Sequence, residues 1–271
     1  MLEILQYEFF RNALTIGVLS GIACGIIGSF IVIKKISFIS GSIAHASFGG
    51  IGIAYFLGIN PVLGAFVFSV LSALGIGIIN KKNKSQEDAS IGAIWAIGMA
   101  IGLLFIYFTP GYAADLMSYL FGNILLSTNS DLIYIAILNV FIILSVFILF
   151  KWLVAVIFDE EFALITNIKV FPLYLFLLVL IALSVVVLIR SVGVILVIAL
   201  LTLPASSAQL MSKKFKNIIY IAIFLAIFSN LSGIFLSYYL NLPSGPVIIF
   251  TAALIYIVVL LFKNFPRLKT S

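Results

Sequence analysis

Charged residues are scarce in this sequence. Only 9% of its 271 residues are Asp, Glu, Lys or Arg, whereas 64% are hydrophobic, and the mean hydropathy is +1.32. About a quarter of a typical soluble domain is charged, because its surface faces water. A water-soluble globular protein is therefore excluded. The net charge of +6 does not indicate nucleic-acid binding, because in a membrane protein it depends on which loops carry the charge.

Several catalytic and ligand-binding motifs are also absent. The sequence contains no Gly-x-x-x-x-Gly-Lys-Ser/Thr phosphate loop, no His-Glu-x-x-His and no Cys-x-x-Cys. Its single cysteine, Cys24, excludes an internal disulfide framework. We therefore expect the chain not to be an enzyme, and to bind no cofactor of its own.

Long uncharged stretches predict a multi-pass membrane protein. A helix that crosses a bilayer needs roughly 17–25 apolar residues. Nine stretches qualify, at about 12–33, 36–59, 61–79, 91–108, 132–150, 170–189, 191–211, 217–240 and 242–262. A shorter run, Leu116 to Ser130, fits an interfacial or re-entrant segment better, and the count is eight if one span is re-entrant. The predicted fold class is all-α, a helical bundle that forms one transmembrane domain over residues 1–271 in the cell membrane.

The distribution of basic residues supports this count. If the spans alternate, thirteen of the 15 Lys and Arg lie on one side of the membrane, and only Arg11 and Arg190 lie on the other. Cytoplasmic loops carry the excess of Lys and Arg. The bias therefore places the N-terminus outside and the C-terminus in the cytoplasm. It was not used to choose the spans, so it supports them independently.

A single ionisable residue, His45, lies within the nine predicted spans, near the middle of the second. At helical spacing Gly41, Ser42, His45, Gly49 and Gly52 share one small, polar face. Two interpretations remain open at this point. Either the face packs closely against another helix, or it lines a pathway in which the imidazole contacts a divalent cation. Carriers driven by protons or sodium usually have intramembrane acids, so transport here would need a separate energy-supplying subunit.

Two cytoplasmic segments stand out. Pro204 in the seventh span predicts a kink, with Thr202, Ser206 and Ser207 placed to satisfy freed backbone groups. This span continues into a basic, half-apolar segment that suits either anionic lipid headgroups or a docked partner. The second segment, Phe158–Lys169, contains the inner acidic cluster, and a solvated loop is the simpler interpretation of it.

Seven motifs in this order resemble the ABC-type permeases for manganese, zinc and iron. They extend over nearly the whole chain and are Gly28-Ser29-Phe30, Ala44–Ser47, Glu87–Gly92, Asp115–Gly122, Asp159–Ala163, Gly193–Ala208 and Pro243–Pro246. The resemblance implies a homodimeric permease with alternating access. It also implies cytoplasmic ATP-binding-cassette ATPase subunits, an extracytoplasmic metal-binding protein, and a transported divalent metal such as zinc, manganese or iron.

The resemblance also implies site residues. His45 becomes a candidate metal contact, with Gly41, Ser42, Gly49 and Gly52 as pore-lining candidates. Such permeases commonly have an Asp four residues before this His, and here that position is Gly41, which removes a hard oxygen ligand. Import of another small substrate, such as a metal chelate, remains an alternative, as does a structural membrane subunit that transports nothing.

An ATPase can drive a pore only through a stiff cytoplasmic element. We predict that residues 205–216 are this element, because they continue from Pro204 and carry apolar side chains among lysines. The predicted contacts are Ala205, Ser206, Ser207, Leu210, Met211 and Phe215. The predicted secondary contacts are Asp159, Glu160 and Glu161.

Overall fold

Ten α-helices form the part of the chain that the structure describes. The structure is a computed structural model that describes residues 6–82, 87–109, 122 and 124–264, and no strand occurs among them. A 3₁₀ turn at Ile124–Leu126 precedes the fifth helix. The helices are α1 (Glu8–Lys34), α2 (Ser37–Phe56), α3 (Pro61–Lys82), α4 (Glu87–Phe108), α5 (Asn129–Phe158), α6 (Glu160–Ile165), α7 (Val170–Val192), α8 (Val194–Met211), α9 (Phe215–Leu240) and α10 (Ser244–Asn264).

The predicted helical membrane bundle is confirmed. Each of the nine predicted spans overlaps one of the nine long helices described, and α6 is the short exception with 6 residues. By length and composition, 7 of these helices are apolar enough to cross a membrane. The outside position of the N-terminus stays a prediction.

The fifth helix extends further than predicted. Whereas the uncharged run covers about 132–150, α5 runs from Asn129 to Phe158 and therefore includes Lys151. Asp131 lies buried in its first turn, where its carboxylate accepts the backbone N–H of Thr128 at 2.8 Å. Asp131 and Lys151 both lie outside the predicted span, because a helix can continue past a charge that its length brings to the membrane surface.

The proposed re-entrant segment is only partly visible. Residues 116–121 and 123 lie outside the described residues, together with Asp115. Of the remainder, 124–126 form the 3₁₀ turn, and Asn129 and Ser130 already belong to α5.

Contacts between helix ends show that α1 and α5 run in the same direction. Near their first residues, the side-chain amide of Asn12 donates to Asn129 Oδ1 at 2.9 Å. At the opposite end, Lys34 forms an ion pair with Glu160, which follows α5 directly. If consecutive spans alternate in direction, the first span, α1, and the fifth span, α5, run the same way. The contacts therefore agree with the predicted alternation.

The helix α1 is the most buried of the seven apolar helices. Two buried asparagines form hydrogen bonds that join α5 and α9 to α1. The Nδ2 of Asn139 on α5 donates to the Leu19 carbonyl at 3.0 Å, and the Nδ2 of Asn230 on α9 donates to the Gly17 carbonyl at 2.7 Å. Because lipid tails offer no competing partners, such side-chain hydrogen bonds hold transmembrane helices together.

Pro204 lies inside α8, which continues unbroken to Met211. The hydroxyl of Thr202 donates to the Ile198 carbonyl at 2.8 Å, and that of Ser207 donates to the Leu203 carbonyl at 2.9 Å. A proline at 204 frees the carbonyl of Leu200, four residues earlier. The prediction that these two hydroxyls satisfy the freed group is therefore wrong, because each bonds to a different carbonyl.

The helix α2 packs against α3 and α4 at distances that only glycine allows. A Cβ atom at Gly49 would lie 2.7 Å from the Gly98 carbonyl oxygen, and one at Gly52 would lie 2.5 Å from that of Gly102. Both separations are shorter than real Cβ contacts. The small, polar face of α2 is therefore closed against α4 over about one helical turn.

Two glycines on α4 provide a matched test of this packing. A Cβ at Gly98 would collide with the backbone of Ala46, whereas a Cβ at Gly92 meets no atom within 4 Å. We expect Gly98→Ala to lower the free energy of unfolding by about 1–3 kcal/mol, the usual cost of overpacking. Gly92→Ala should be neutral or stabilising, because Ala lowers the entropy that a helical glycine loses on folding. Thermal unfolding of both variants in detergent measures the difference, and equal losses of stability would refute the close approach.

Candidate metal pathway site

His45 lies near the middle of α2, with its ring stacked on Trp95 of α4. The two ring centroids are 4.3 Å apart and the planes differ by 10°. His45 is half-buried, so part of the residue stays accessible. The indole therefore fixes the plane of the imidazole and covers one face of it.

A methionine completes the surroundings of His45. The Nδ1 atom lies 3.4 Å from the sulfur of Met99, one turn after Trp95 on α4. Both atoms carry lone pairs that bind transition metals: imidazole suits zinc, copper, iron and nickel, and a thioether is a soft ligand. If an ion lay about 2.1 Å from the nitrogen and about 2.3 Å from the sulfur, the nitrogen–ion–sulfur angle would be about 100°. This value is close to a tetrahedral angle.

The helices α2 and α4 run parallel, and this arrangement brings the pair together. One turn before His45, the buried hydroxyl of Ser42 donates to the Ile91 carbonyl at 2.8 Å. One turn after it, Gly49 meets Gly98. The register between the two helices is therefore set on both sides of His45. The imidazole has little freedom to move away from α4.

The predicted pore-lining residues surround this pair but are closed off within the chain. Ser42, Gly49 and Gly52 are buried against α4, so the prediction that they line an open pore is not supported. A Cβ at Gly41 would lie 3.4 Å from Ile198 Cδ1 and 3.7 Å from the Trp95 ring, which is ordinary van der Waals contact. The packing interpretation thus fits Gly49 and Gly52, and the role of His45 as a metal contact stays a prediction.

Sequence analysis missed Trp95 and Met99. They lie four residues apart on α4, with Gly98 between them on the same side of the helix. The available signal was the depth of Trp95, which lies away from the helix ends, whereas membrane tryptophans concentrate at the interfaces. The pairing with His45 could not be seen, because it depends on the register between two helices.

The donor set from one chain is incomplete. Within the described residues, no group of three or more His, Cys, Asp and Glu side chains could hold a metal ion. His45 and Met99 supply two donors, whereas zinc is usually four-coordinate. The arrangement therefore suits transient contact with a passing ion better than permanent binding.

The predicted coupling segment is only partly exposed. Ala205 and Ser207 are fully buried, and Phe215 is only 9% exposed, while Met211 is 56% exposed. The rings that cover Phe215 are those of Phe30, Phe150 and Phe158. The prediction of Phe215 as an apolar side chain presented to a partner is therefore wrong, because this aromatic cluster buries it within the chain.

The acidic cluster forms a capped helix and not the solvated loop of the simpler interpretation. Asp159 Oδ1 accepts the backbone N–H of Phe162 at 2.9 Å and so caps the first turn of α6. The ammonium of Lys34, at the end of α1, pairs with Glu160 and also donates to the Val156 carbonyl at 3.2 Å. The cap and the ion pair to the buried helix α1 make α6 stiffer than a solvated loop.

The outer surface of α6 is apolar. Phe162, Leu164 and Ile165 are 56%, 62% and 81% exposed. Because α6 follows α5 after a single residue, Asp159, these side chains lie at the end of the bundle and not along a long membrane-spanning helix. Large apolar side chains at such a position are typical of a protein interface.

The described helices form a multi-pass bundle of the kind found in membrane proteins. The chain belongs to the ABC 3 transport family, whose sequence model matches residues 6–263. Members of this family are permease subunits of ABC transporters, so the protein is a membrane permease subunit. This finding confirms the resemblance seen in the motifs.

Individual relatives agree with this assignment. A probable metal transport system membrane protein of Chlamydia trachomatis is 43% identical over 251 residues, 90% of this chain and 86% of the relative. The manganese transport system membrane protein MntC of Listeria monocytogenes is 34% identical over 259 residues, 96% of this chain and 92% of the relative. Among solved structures, PsaBC from Streptococcus pneumoniae in complex with Fab matches with a TM-score of 0.86 and 30% identity, over 94% of this chain and 92% of that one.

Substitutions at His45 and Met99 separate a metal contact from a packing role. His45→Ala should abolish metal uptake, and Met99→Leu, which keeps the volume but removes the sulfur, should lower it at least about 10-fold. Even groups that only orient a metal ligand have effects of this size. Radioactive metal uptake, normalised to folded protein in the membrane, measures both.

Ile97→Leu provides the control for Met99→Leu, because Ile97 is exposed on the same helix and offers no metal ligand. Its uptake should match that of the unmodified chain. Normal uptake per folded molecule in His45→Ala, combined with a lower unfolding temperature, would make His45 a packing residue and withdraw the site.

Proposed function

We propose that this chain is the permease subunit of an ABC importer for a divalent transition metal. Two copies form the pore and work by alternating access. ATP-binding-cassette ATPase subunits supply the energy from the cytoplasm, and an extracytoplasmic metal-binding protein delivers the ion. The contact between His45 and Met99 carries this proposal, because two atoms of types that can bind a metal lie 3.4 Å apart near the middle of α2.

The incomplete donor set supports a pore formed by two copies. One chain offers an imidazole and a thioether, and the accessible side of His45 leaves room for further ligands. A second copy of the chain, water molecules or the delivering protein could supply them. A site completed only during passage releases its ion easily, as transport requires.

Donor chemistry favours zinc over manganese. Manganese prefers carboxylate, carbonyl and water oxygens, whereas zinc binds nitrogen and sulfur. The neighbours of Gly41 are Ile198 and Trp95, so no carboxylate stands at that position beside His45. We therefore infer zinc as the preferred ion, although the 34% identical relative MntC is named for manganese transport.

A metal chelate is the second candidate substrate. The absence of a carboxylate at Gly41 favours it, because a chelator would supply the oxygen ligands that the chain lacks. Uptake of the free ion and of its chelate by the same complex distinguishes the two candidates.

Gly41→Asp tests the inferred preference. Its Cβ fits without a clash, and the carboxylate would stand one helical turn before His45 on the same face. We expect the uptake of manganese relative to zinc to rise, because a hard oxygen ligand is added. Uptake of both isotopes from an equimolar mixture gives the ratio.

Gly41→Ala is the matched control, since it adds the Cβ without the carboxylate. Its ratio should equal that of the unmodified chain. An unchanged ratio in Gly41→Asp, with total uptake intact, would show that position 41 does not face the ion.

We propose that α6 is the principal contact with the ATPase and that the end of α8 is the secondary one. This reverses the order expected from sequence. The reason is exposure: α6 presents Phe162, Leu164 and Ile165, whereas Phe215 is covered. The ion pair between Lys34 and Glu160 joins α6 to α1, so a force on α6 reaches the core of the bundle.

Two double variants test this order. Phe162→Ser with Ile165→Ser should release the ATPase, or uncouple its activity from uptake, because both changes remove exposed apolar contact area. Leu210→Ser with Met211→Ser makes the same chemical change on α8 and should have a smaller effect. Co-purification of the ATPase and metal-stimulated ATP hydrolysis measure both. A larger loss in the α8 variant would restore residues 205–216 as the main coupling element.

A further inference from the structure

A groove with an unusual charge distribution runs along the surface of α1, α5 and α9. Its volume is about 480 Å³. Ile26, Val146 and Ile219, one from each helix, line it and are buried. Phe147 and Tyr220 also line it and are largely exposed. In a bilayer such a surface faces hydrocarbon, so its apolar part needs no protein partner.

Two lysines, Lys151 and Lys216, line one end of this groove. Lys151 belongs to α5, and Lys216 lies in the first turn of α9 with its ammonium 5.7 Å from the centre of the Phe150 ring. Both side chains are exposed. Two ammonium groups thus stand where the apolar groove ends.

No salt bridge to another described residue neutralises either lysine. Among the described residues, the salt bridge between Lys34 and Glu160 is the one within 4 Å, and it lies on α1 and α6. The positive charge at the end of the groove is therefore available to a ligand. An anion held there would accept hydrogen bonds from both ammonium groups.

The depth of the lysines fits the level of lipid headgroups. With 30 residues, α5 is about 45 Å long, which exceeds the hydrocarbon core of about 30 Å. Lys151 lies seven residues before its end, or about 10 Å along the axis. From Ile143 to Lys151 the groove follows α5 for about 12 Å, most of one leaflet.

We propose that this groove binds one anionic phospholipid, with its phosphate between Lys151 and Lys216 and an acyl chain along the apolar wall. Basic pockets between transmembrane helices recognise anionic headgroups in this way. A zwitterionic lipid fits less well, because its own cation lies next to its phosphate and is repelled by the two ammonium groups. The proposal needs no assumption about the transported metal.

The test compares two double lysine variants of the full-length protein. Lys151→Gln with Lys216→Gln removes the charges of the groove. Lys213→Gln with Lys214→Gln removes two exposed lysines that precede α9 and do not line the groove. Each protein is placed in nanodiscs that contain phosphatidylglycerol and phosphatidylcholine, and native mass spectrometry counts the retained lipids.

The unmodified protein should retain one phosphatidylglycerol in preference to phosphatidylcholine. The groove variant should bind it about 25-fold more weakly, or about fivefold per lysine, while the control variant keeps most of the affinity. Lys151→Arg with Lys216→Arg should preserve binding, which also shows that the fold tolerates substitution there.

Three results would overturn the proposal. Equal losses in the two glutamine variants would indicate a diffuse basic surface and not a defined site. If the unmodified protein showed no preference for phosphatidylglycerol, the groove would not select an anionic headgroup. A disulfide crosslink between two copies of the chain that carry Phe147→Cys, formed in the same nanodiscs, would show that protein and not lipid fills the groove.

Discussion

Close approach of helix backbones at glycine is the constraint on which this structure depends. Helices in a bilayer gain no hydrophobic energy by leaving lipid for each other, so they associate through tight packing and hydrogen bonds. Gly49 and Gly52 on α2 allow α4 to come within contact of their backbone. The same device joins α1 to α9 at Gly21 and Gly25. Close contacts at these glycines thus stabilise the association of the helices, whereas in a water-soluble protein the hydrophobic effect does so.

The candidate site is a consequence of that packing. His45 meets Trp95 and Met99 because the glycine contacts above and the Ser42 hydrogen bond below hold α2 and α4 in register. Were the helices even 2 Å further apart, nitrogen and sulfur could not both contact one ion. The small residues of α2 therefore position the two candidate ligands without themselves lining an open pathway in this structure.

The parts of the structure that local chemistry determines were predictable from sequence. Hydropathy located the nine long helices that lie within the described residues, and a lone imidazole in an apolar span made His45 a candidate. Two kinds of feature were not predictable. Met99 became a partner only through the register between helices, and Phe215 was buried only because three other rings converge on it. Residues near the end of a span can face a partner or the bundle interior, and their composition is the same in both cases.

The ion pair of Lys34 links the proposed coupling surface to the site by a short route. Glu160 holds α6 to the last residue of α1. Lys35 then turns the chain in a left-handed conformation, and α2 begins at Ser37, about two turns before His45. A cavity of about 610 Å³, bordered by Lys34, Glu160 and the start of α2, leaves room for these parts to shift. On the proposed function, movement of α6 would thus act first on the turn that sets the direction of α2, and so on the position of the imidazole relative to α4.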